Sequence, residues 1–225
     1  MKTVLILSLL LAIAATALAG PRSTAYSLTI ELSDGDIKFL NEIGYSICIV
    51  RDVVGFDLSS VWHAIPPRQL SQEIELQWEE QFYVFHEETV YEAGDVLRFD
   101  SKVQTPLEQA WIFDTTFEDF KTPVASGSVL VVDKHESVHS LGLAQVINGQ
   151  VKALGSIPSS NGISVQLTPK EYIYVFIGRN KQSELLDITA VSNPIKVEYF
   201  GTTSQKITFH KTDSSFALRG GTSRY

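Results

Sequence analysis

Residues His135 to His139 read HESVH, the H-E-x-x-H spacing of zinc peptidases. On a helix, positions i and i+4 share a face, so both imidazoles can bind one zinc ion. The intervening Glu136 then acts as general base on the metal-bound water. Gly142 even stands where the longer pattern H-E-x-x-H-x-x-G-x-x-H requires glycine. A catalytic zinc site also needs a third protein ligand and an open coordination position.

The elements that must carry these residues argue against that chemistry. Val129 to Val132, just before the motif, is β-branched and strand-like. Asn148-Gly149, just after it, is the favoured pair of a two-residue type I′ hairpin. Scarcely two helical turns are left between them, and Ser137, Val138 and Ser140 are indifferent helix formers. Gln145 occupies the place of the third histidine. The only methionine is Met1, so no methionine turn follows. The first downstream glutamate, Glu171, opens the strand pattern EYIYVFIG. Lys134 to Ser140 is therefore read as a polar connection between strands. A fully extended path would hold His135 and His139 roughly 13 Å apart, too far for one zinc ion.

Other residues with chemical potential have simpler readings. The single cysteine, Cys48, lies in the apolar run YSICIV and reads as a buried small hydrophobe. Trp78 alternates in phase with Ile74 and Leu76, which makes it core. Trp62, beside His63 and Pro66-Pro67, and Trp111, in QAWIFDTTF, are the candidate binding residues. An acidic belt from Glu73 to Asp95 lacks the dense order of a calcium loop and reads as a solvated sheet face. No P-loop, G-x-S-x-G or G-x-G-x-x-G occurs.

The first nineteen residues, MKTVLILSLLLAIAATALA, have the basic start, apolar run and A-x-A site of a secretory signal peptide. Secretion to the extracellular space is expected, with no transmembrane segment. The formal net charge is −8 and becomes more negative without Lys2, which disfavours phosphate backbones as partners. No disulfide can form within the chain, and no N-x-[ST] acceptor is present.

Short alternating stretches dominate the rest. Tyr26, Leu28, Ile30 and Leu32 alternate with polar residues, and Ile74 to Phe85 continues the theme with a bulge or bend expected at Glu79-Glu80-Gln81. The Asn148-Gly149 hairpin joins strands near Leu141–Ile147 and Gln150–Ile157. Further strands are expected at 45–50, 96–99, 129–132, 163–167, 172–177, 195–200 and 206–210. Residues 37–43 read as a short helix or turn, and 106–120 as a loop with one helical turn. The expected architecture is all-β, an antiparallel β-sandwich in a single domain over residues 20–212. Residues 213–225 read as a mobile tail.

Three segments carry a resemblance: ELQWEEQFYVFHEETVYEAGDVL, HSLGLAQVINGQVKALGSI and LTPKEYIYVFIGRN. Together they resemble a group of small β-rich proteins of mushroom-forming fungi over about residues 70–200. This chain has one extra residue between His139 and Gly142 relative to that pattern. The resemblance implies that HSLGLAQ enters a hairpin strand; it transfers no activity and no site residue.

The function expected from all this is a secreted, non-catalytic binding protein for a glycan, lipid or protein, lectin-like or membrane-active in defence. No cofactor and no nucleic acid are expected. One alternative is a zinc-dependent hydrolase with His135 and His139 as ligands and Glu136 as base. Another is a structural or developmental cell-surface protein.

Overall fold

A computed structural model describes residues 24–99 and 101–219. The proposed signal peptide lies outside the described residues, as do residues 220–225. In chain order the elements are β1 (Ala25–Glu31), α1 (Asp34–Ile43), β2 (Ser46–Val54), β3 (Leu58–Ser60), β4 (His63–Ile65), β5 (Glu73–Glu87) and β6 (Ser101–Thr105). There follow β7 (Ala110–Phe113), β8 (Phe117–Phe120), β9 (Val129–Asp133), β10 (His139–Ile147), β11 (Gln150–Ser159) and β12 (Ser164–Gly178). The last are β13 (Leu185–Leu186), β14 (Ile195–Glu198), β15 (Ser204–His210) and β16 (Ser215–Leu218).

These strands form two packed sheets, the all-β sandwich that the alternation demands. The nine-stranded sheet runs β13-β3-β11-β10-β5-β1-β15-β16, with β6 also on β5. The seven-stranded sheet runs β4-β2-β12-β9-β7-β8, with β14 also on β12. Pairing is antiparallel except between β1 and β15 and between β7 and β9.

The core follows strand phase. Leu28 and Ile30 of β1, Leu76, Trp78, Phe82 and Val84 of β5, and Leu141 and Leu143 of β10 are buried. They pack in one cluster with Ile47 and Ile49 of β2, Val129 and Val131 of β9, and Ile173 and Val175 of β12. Each such side chain contributes about 1.5–3 kcal/mol by leaving water. The run ICIV in β2 shows no alternation because both its faces are covered. Ile47 and Ile49 enter the main core, while Cys48 and Val50 pack with Val61, Phe176 and Leu186.

Several local expectations hold. Asn148 and Gly149 have φ of 48° and 72°, and Ile147 pairs with Gln150, as a two-residue hairpin requires. The β5 irregularity falls where expected. Gln145 pairs with Phe82 and Ile147 with Trp78, so Glu79 to Gln81 oppose Val146 alone. The helix is longer than residues 37–43. Ser33 Oγ accepts from the Asp36 amide, Asp36 accepts from the Ser33 amide, and Gly44 closes the helix at φ 70°.

Other expectations are corrected. Residues 110–120 form the hairpin β7–β8 and not a helical turn. Residues 96–99 make only an isolated bridge, Val96 to Glu184. The two strands expected at 163–167 and 172–177 are one strand, β12, which pairs with β9 along 164–167 and with β2 further on. The supposed tail begins with β16, whose Phe216 is 7% exposed and pairs with Phe209, so the sheet extends beyond residue 212. No helix among the described residues is long and apolar enough to cross a membrane.

Candidate functional site

The inward phase of four strands is interrupted by polar residues, and they meet. Arg51 follows Ile47 and Ile49 on β2. Glu80 lies between Trp78 and Phe82 on β5. Gln145 follows Leu141 and Leu143 on β10, and Glu171 precedes Ile173 on β12. Side chains two apart share a sheet face, so Arg51, Glu80 and Gln145 are directed to the space between the sheets, while Glu171 is exposed.

Arg51, Glu80 and Glu171 line a cleft of about 680 Å³ together with Tyr26, Trp78 and Tyr199 among others, and Gln145 supports Arg51 from beneath. Arg51 is 5% exposed. It donates from Nε to the Lys170 carbonyl at 3.1 Å and from Nη1 to Gln145 Oε1 at 2.8 Å. Its guanidinium lies over the Phe82 ring at 5.4 Å, a cation–π contact. Gln145 is itself fixed by donating to the Glu79 carbonyl at 2.8 Å. Burial pulls Arg51 down to about 10, partly offset first by Glu80 and then by Tyr26 and Glu171, so it stays charged at neutral pH.

The walls are aromatic. Tyr26 stacks on Trp78 at 5.9 Å, and Tyr199 meets both edge-on, at 5.7 Å and 5.1 Å. Tyr26 donates to Glu80 Oε1 at 3.3 Å, and its hydroxyl is pushed above the ordinary tyrosine value by burial and then by the Glu80 charge. Tyr199 donates to the Ser27 carbonyl at 3.0 Å, which pins it to β1.

The rim is a turn made for display. The Thr202 amide donates to the Tyr199 carbonyl at 3.1 Å, and Gly201 has φ 73°. A positive φ at the third residue defines a type II turn, which places Phe200 at its corner. Phe200 is 87% exposed and is the one aromatic among the described large apolar side chains left in water. It lines the cleft mouth with Gly201, Thr202 and Thr203.

The residues singled out by type and spacing fall elsewhere. Trp62 is 0% exposed and packs edge-on against Trp78 at 5.4 Å, so the expectation of a surface platform is corrected. Trp111 is half-buried and donates from Nε1 to Thr105 Oγ1 at 2.9 Å, a tie between β7 and β6. Cys48 is buried, and its thiol is pushed up to about 12 by burial, which leaves it a poor nucleophile at neutral pH.

HESVH is a bend joining β9 to β10, with no helix. Glu136 is exposed and His139 is buried. One expectation about this stretch is wrong. The bend folds back, and the His135 and His139 rings lie 4.9 Å apart, not at strand spacing. Gly142 answers to packing: a Cβ there would lie 2.1 Å from Phe85 Cζ, on the strand opposite.

The cleft residues carry a signal in the sequence that is not a motif. A charge in the apolar phase of a strand is costly unless it is paired or used, and Arg51, Glu80 and Glu171 each break that phase. No family model, curated protein or solved structure matches the chain, so the geometry stands by itself.

Proposed function

We propose that the protein is a secreted, non-catalytic binding protein and that the cleft between β5 and β12 seats a glycan. The reading of secretion rests on residues 1–19. The observation that carries the ligand class is Phe200, held in water at the mouth of an aromatic, charge-lined cleft. A sugar ring presents apolar C–H faces and a girdle of hydroxyls. Aromatic side chains suit the faces, and fixed charged donors and acceptors suit the hydroxyls. Arg51 offers donors while Glu80 and Glu171 offer acceptors, so the site favours a neutral polyhydroxylated ligand over a strongly charged one. A long acyl chain would displace water from the charged groups of the cleft without offering them a hydrogen bond, which disfavours lipid.

The test is a binding screen of the mature protein against soluble glycans, lipid vesicles and extracellular proteins. Binding of a glycan that weakens at least tenfold in Phe200→Ala supports the reading. Binding confined to vesicles or to proteins, or silence across all three, rejects it.

A further inference from the structure

The cleft lies between two matching irregularities, one in each sheet. Phe82 pairs with Gln145 and Trp78 with Ile147, so Glu79, Glu80 and Gln81 of β5 oppose Val146 alone. Pro169 pairs with Val53 and Ile173 with Arg51, so Lys170, Glu171 and Tyr172 of β12 oppose Asp52 alone. Both strands bulge, and the middle residue of each bulge is a glutamate. A bulge bends its strand and re-aims side chains that a regular ladder would fix. Here both middle glutamates line one cleft.

A chain of hydrogen bonds ties the two bulges together. The Lys170 carbonyl accepts from Arg51 Nε at 3.1 Å, Arg51 Nη1 donates to Gln145 Oε1 at 2.8 Å, and Gln145 Nε2 donates to the Glu79 carbonyl at 2.8 Å. A backbone acceptor in each bulge is thereby met from inside the sandwich. The Tyr199 amide donates to the Glu171 carbonyl at 2.8 Å, which seats the Phe200 turn beside the β12 bulge.

That chain occupies Nε and Nη1 of Arg51. Nη2, which carries two N–H groups, has no hydrogen-bond partner among the described residues. It belongs to a side chain that is 5% exposed and lines the cleft. Glu80 and Glu171 act on the guanidinium through their charge, and neither is hydrogen-bonded to it. Tyr26 holds Glu80 Oε1 at 3.3 Å, which leaves Oε2 for another donor. A buried donor thus faces two acceptors across a space. A ligand ammonium has no acceptor for Nη2, and a ligand carboxylate has no donor for the glutamates. A hydroxyl serves both. The charged lining, Arg51 and Lys170 against Glu80 and Glu171, balances, which also suits a ligand without net charge.

We infer that the cleft recognises two hydroxyls of one neutral sugar unit, each accepting from Arg51 Nη2 and donating to a carboxylate, one to Glu80 and the other to Glu171. The two N–H groups of Nη2 diverge, so each serves one hydroxyl. Glu80 and Glu171 are then the residues that set specificity, because a charged acceptor bonds about twice as strongly as a neutral one. The inference rests on the glycan reading and narrows it to uncharged sugar units whose hydroxyls are free.

The experiment applies the mature wild type, Glu80→Ala, Glu171→Ala and Phe200→Ala to an array of neutral hexose glycans, their O-methylated forms, uronic acid glycans and amino-sugar glycans with free amines. The expected result is binding confined to the neutral glycans with free hydroxyls, at least tenfold weaker in each glutamate variant. Glu171 is exposed, so Glu171→Ala reports on binding even if Glu80→Ala folds poorly. Binding to the O-methylated forms, or a preference for uronic acids or amines, would overturn the inference. Binding lost in Phe200→Ala but kept in Glu171→Ala overturns it and leaves the glycan reading standing, whereas silence on every glycan removes both.

Discussion

Arg51 on β2 and Gln145 on β10 join the two sheets through a single buried hydrogen bond of 2.8 Å, from Nη1 to Oε1. It lies under the cleft and sets the position of the guanidinium. Gln145 is also the residue at which the zinc-peptidase pattern fails, so the same side chain that excludes one site builds another.

Removing the acceptor should be costly, because it leaves a buried cation short of a partner. Gln145→Leu is expected to lower unfolding free energy by about 2–3 kcal/mol. The double variant Arg51→Leu, Gln145→Leu should recover part of that loss. Urea unfolding of the wild type, both single variants and the pair measures the coupling. Strict additivity of the two single losses would show that the bond contributes nothing as a pair.

Gly142 predicts a second loss, from sterics. A Cβ at this position would meet Phe85 Cζ at 2.1 Å and the Gly155 carbonyl oxygen at 2.6 Å. Phe85 cannot easily retreat, being buried and stacked on Phe99 at 4.5 Å. Gly142→Ala should destabilise by about 1–3 kcal/mol, the range for an overfilled core. The gauge is thermal or urea unfolding, and a stability equal to wild type would mean that the two strands separate freely.

His63 predicts a pH dependence. Burial, and then the Lys152 charge, hold its imidazole below the ordinary value of 6.5, and its Nδ1 is buried without a partner. The unfolded chain thus takes up a proton before the folded one does. The contribution of His63 to stability is complete above pH 6.5 and is lost as pH falls through that value and on through the folded one. Melting temperature measured from pH 8 to 4.5 should fall less steeply below pH 6.5 in His63→Phe than in the wild type. Parallel curves would remove His63 from the account.

How far the sequence revealed this molecule depended on whether a signal was local. Asn148-Gly149 demands positive φ at two adjacent positions, and the hairpin is there. Ile74, Leu76 and Trp78 alternate, and the core holds Leu76 and Trp78. The β7–β8 hairpin was hidden because Asp114-Thr115-Thr116 offers no glycine or proline at the turn, and the four aromatics around it suit helix and strand alike. Trp62 looked like a loop residue because short β3 and β4 flank it, yet the sheets close over its ring. The contact of His86 with His139, 4.8 Å between ring centres, was illegible for a different reason. His86 lies far from HESVH along the chain, and only the β5–β10 register makes them neighbours. The cleft was half legible: Arg51, Glu80 and Glu171 broke the apolar phase in plain view, but which charges would meet was decided by tertiary pairing.

The central claim is that the cleft under Phe200 seats a glycan. It is tested most directly by titrating a glycan identified by screening into wild-type protein and Phe200→Ala, reading tryptophan fluorescence from Trp78 in the cleft wall. Phe200 is almost fully exposed, so its removal should leave melting temperature unchanged. The account predicts a saturable fluorescence change whose midpoint moves at least tenfold higher in Phe200→Ala. Equal midpoints in the two proteins, or no glycan that perturbs the fluorescence at all, would contradict it.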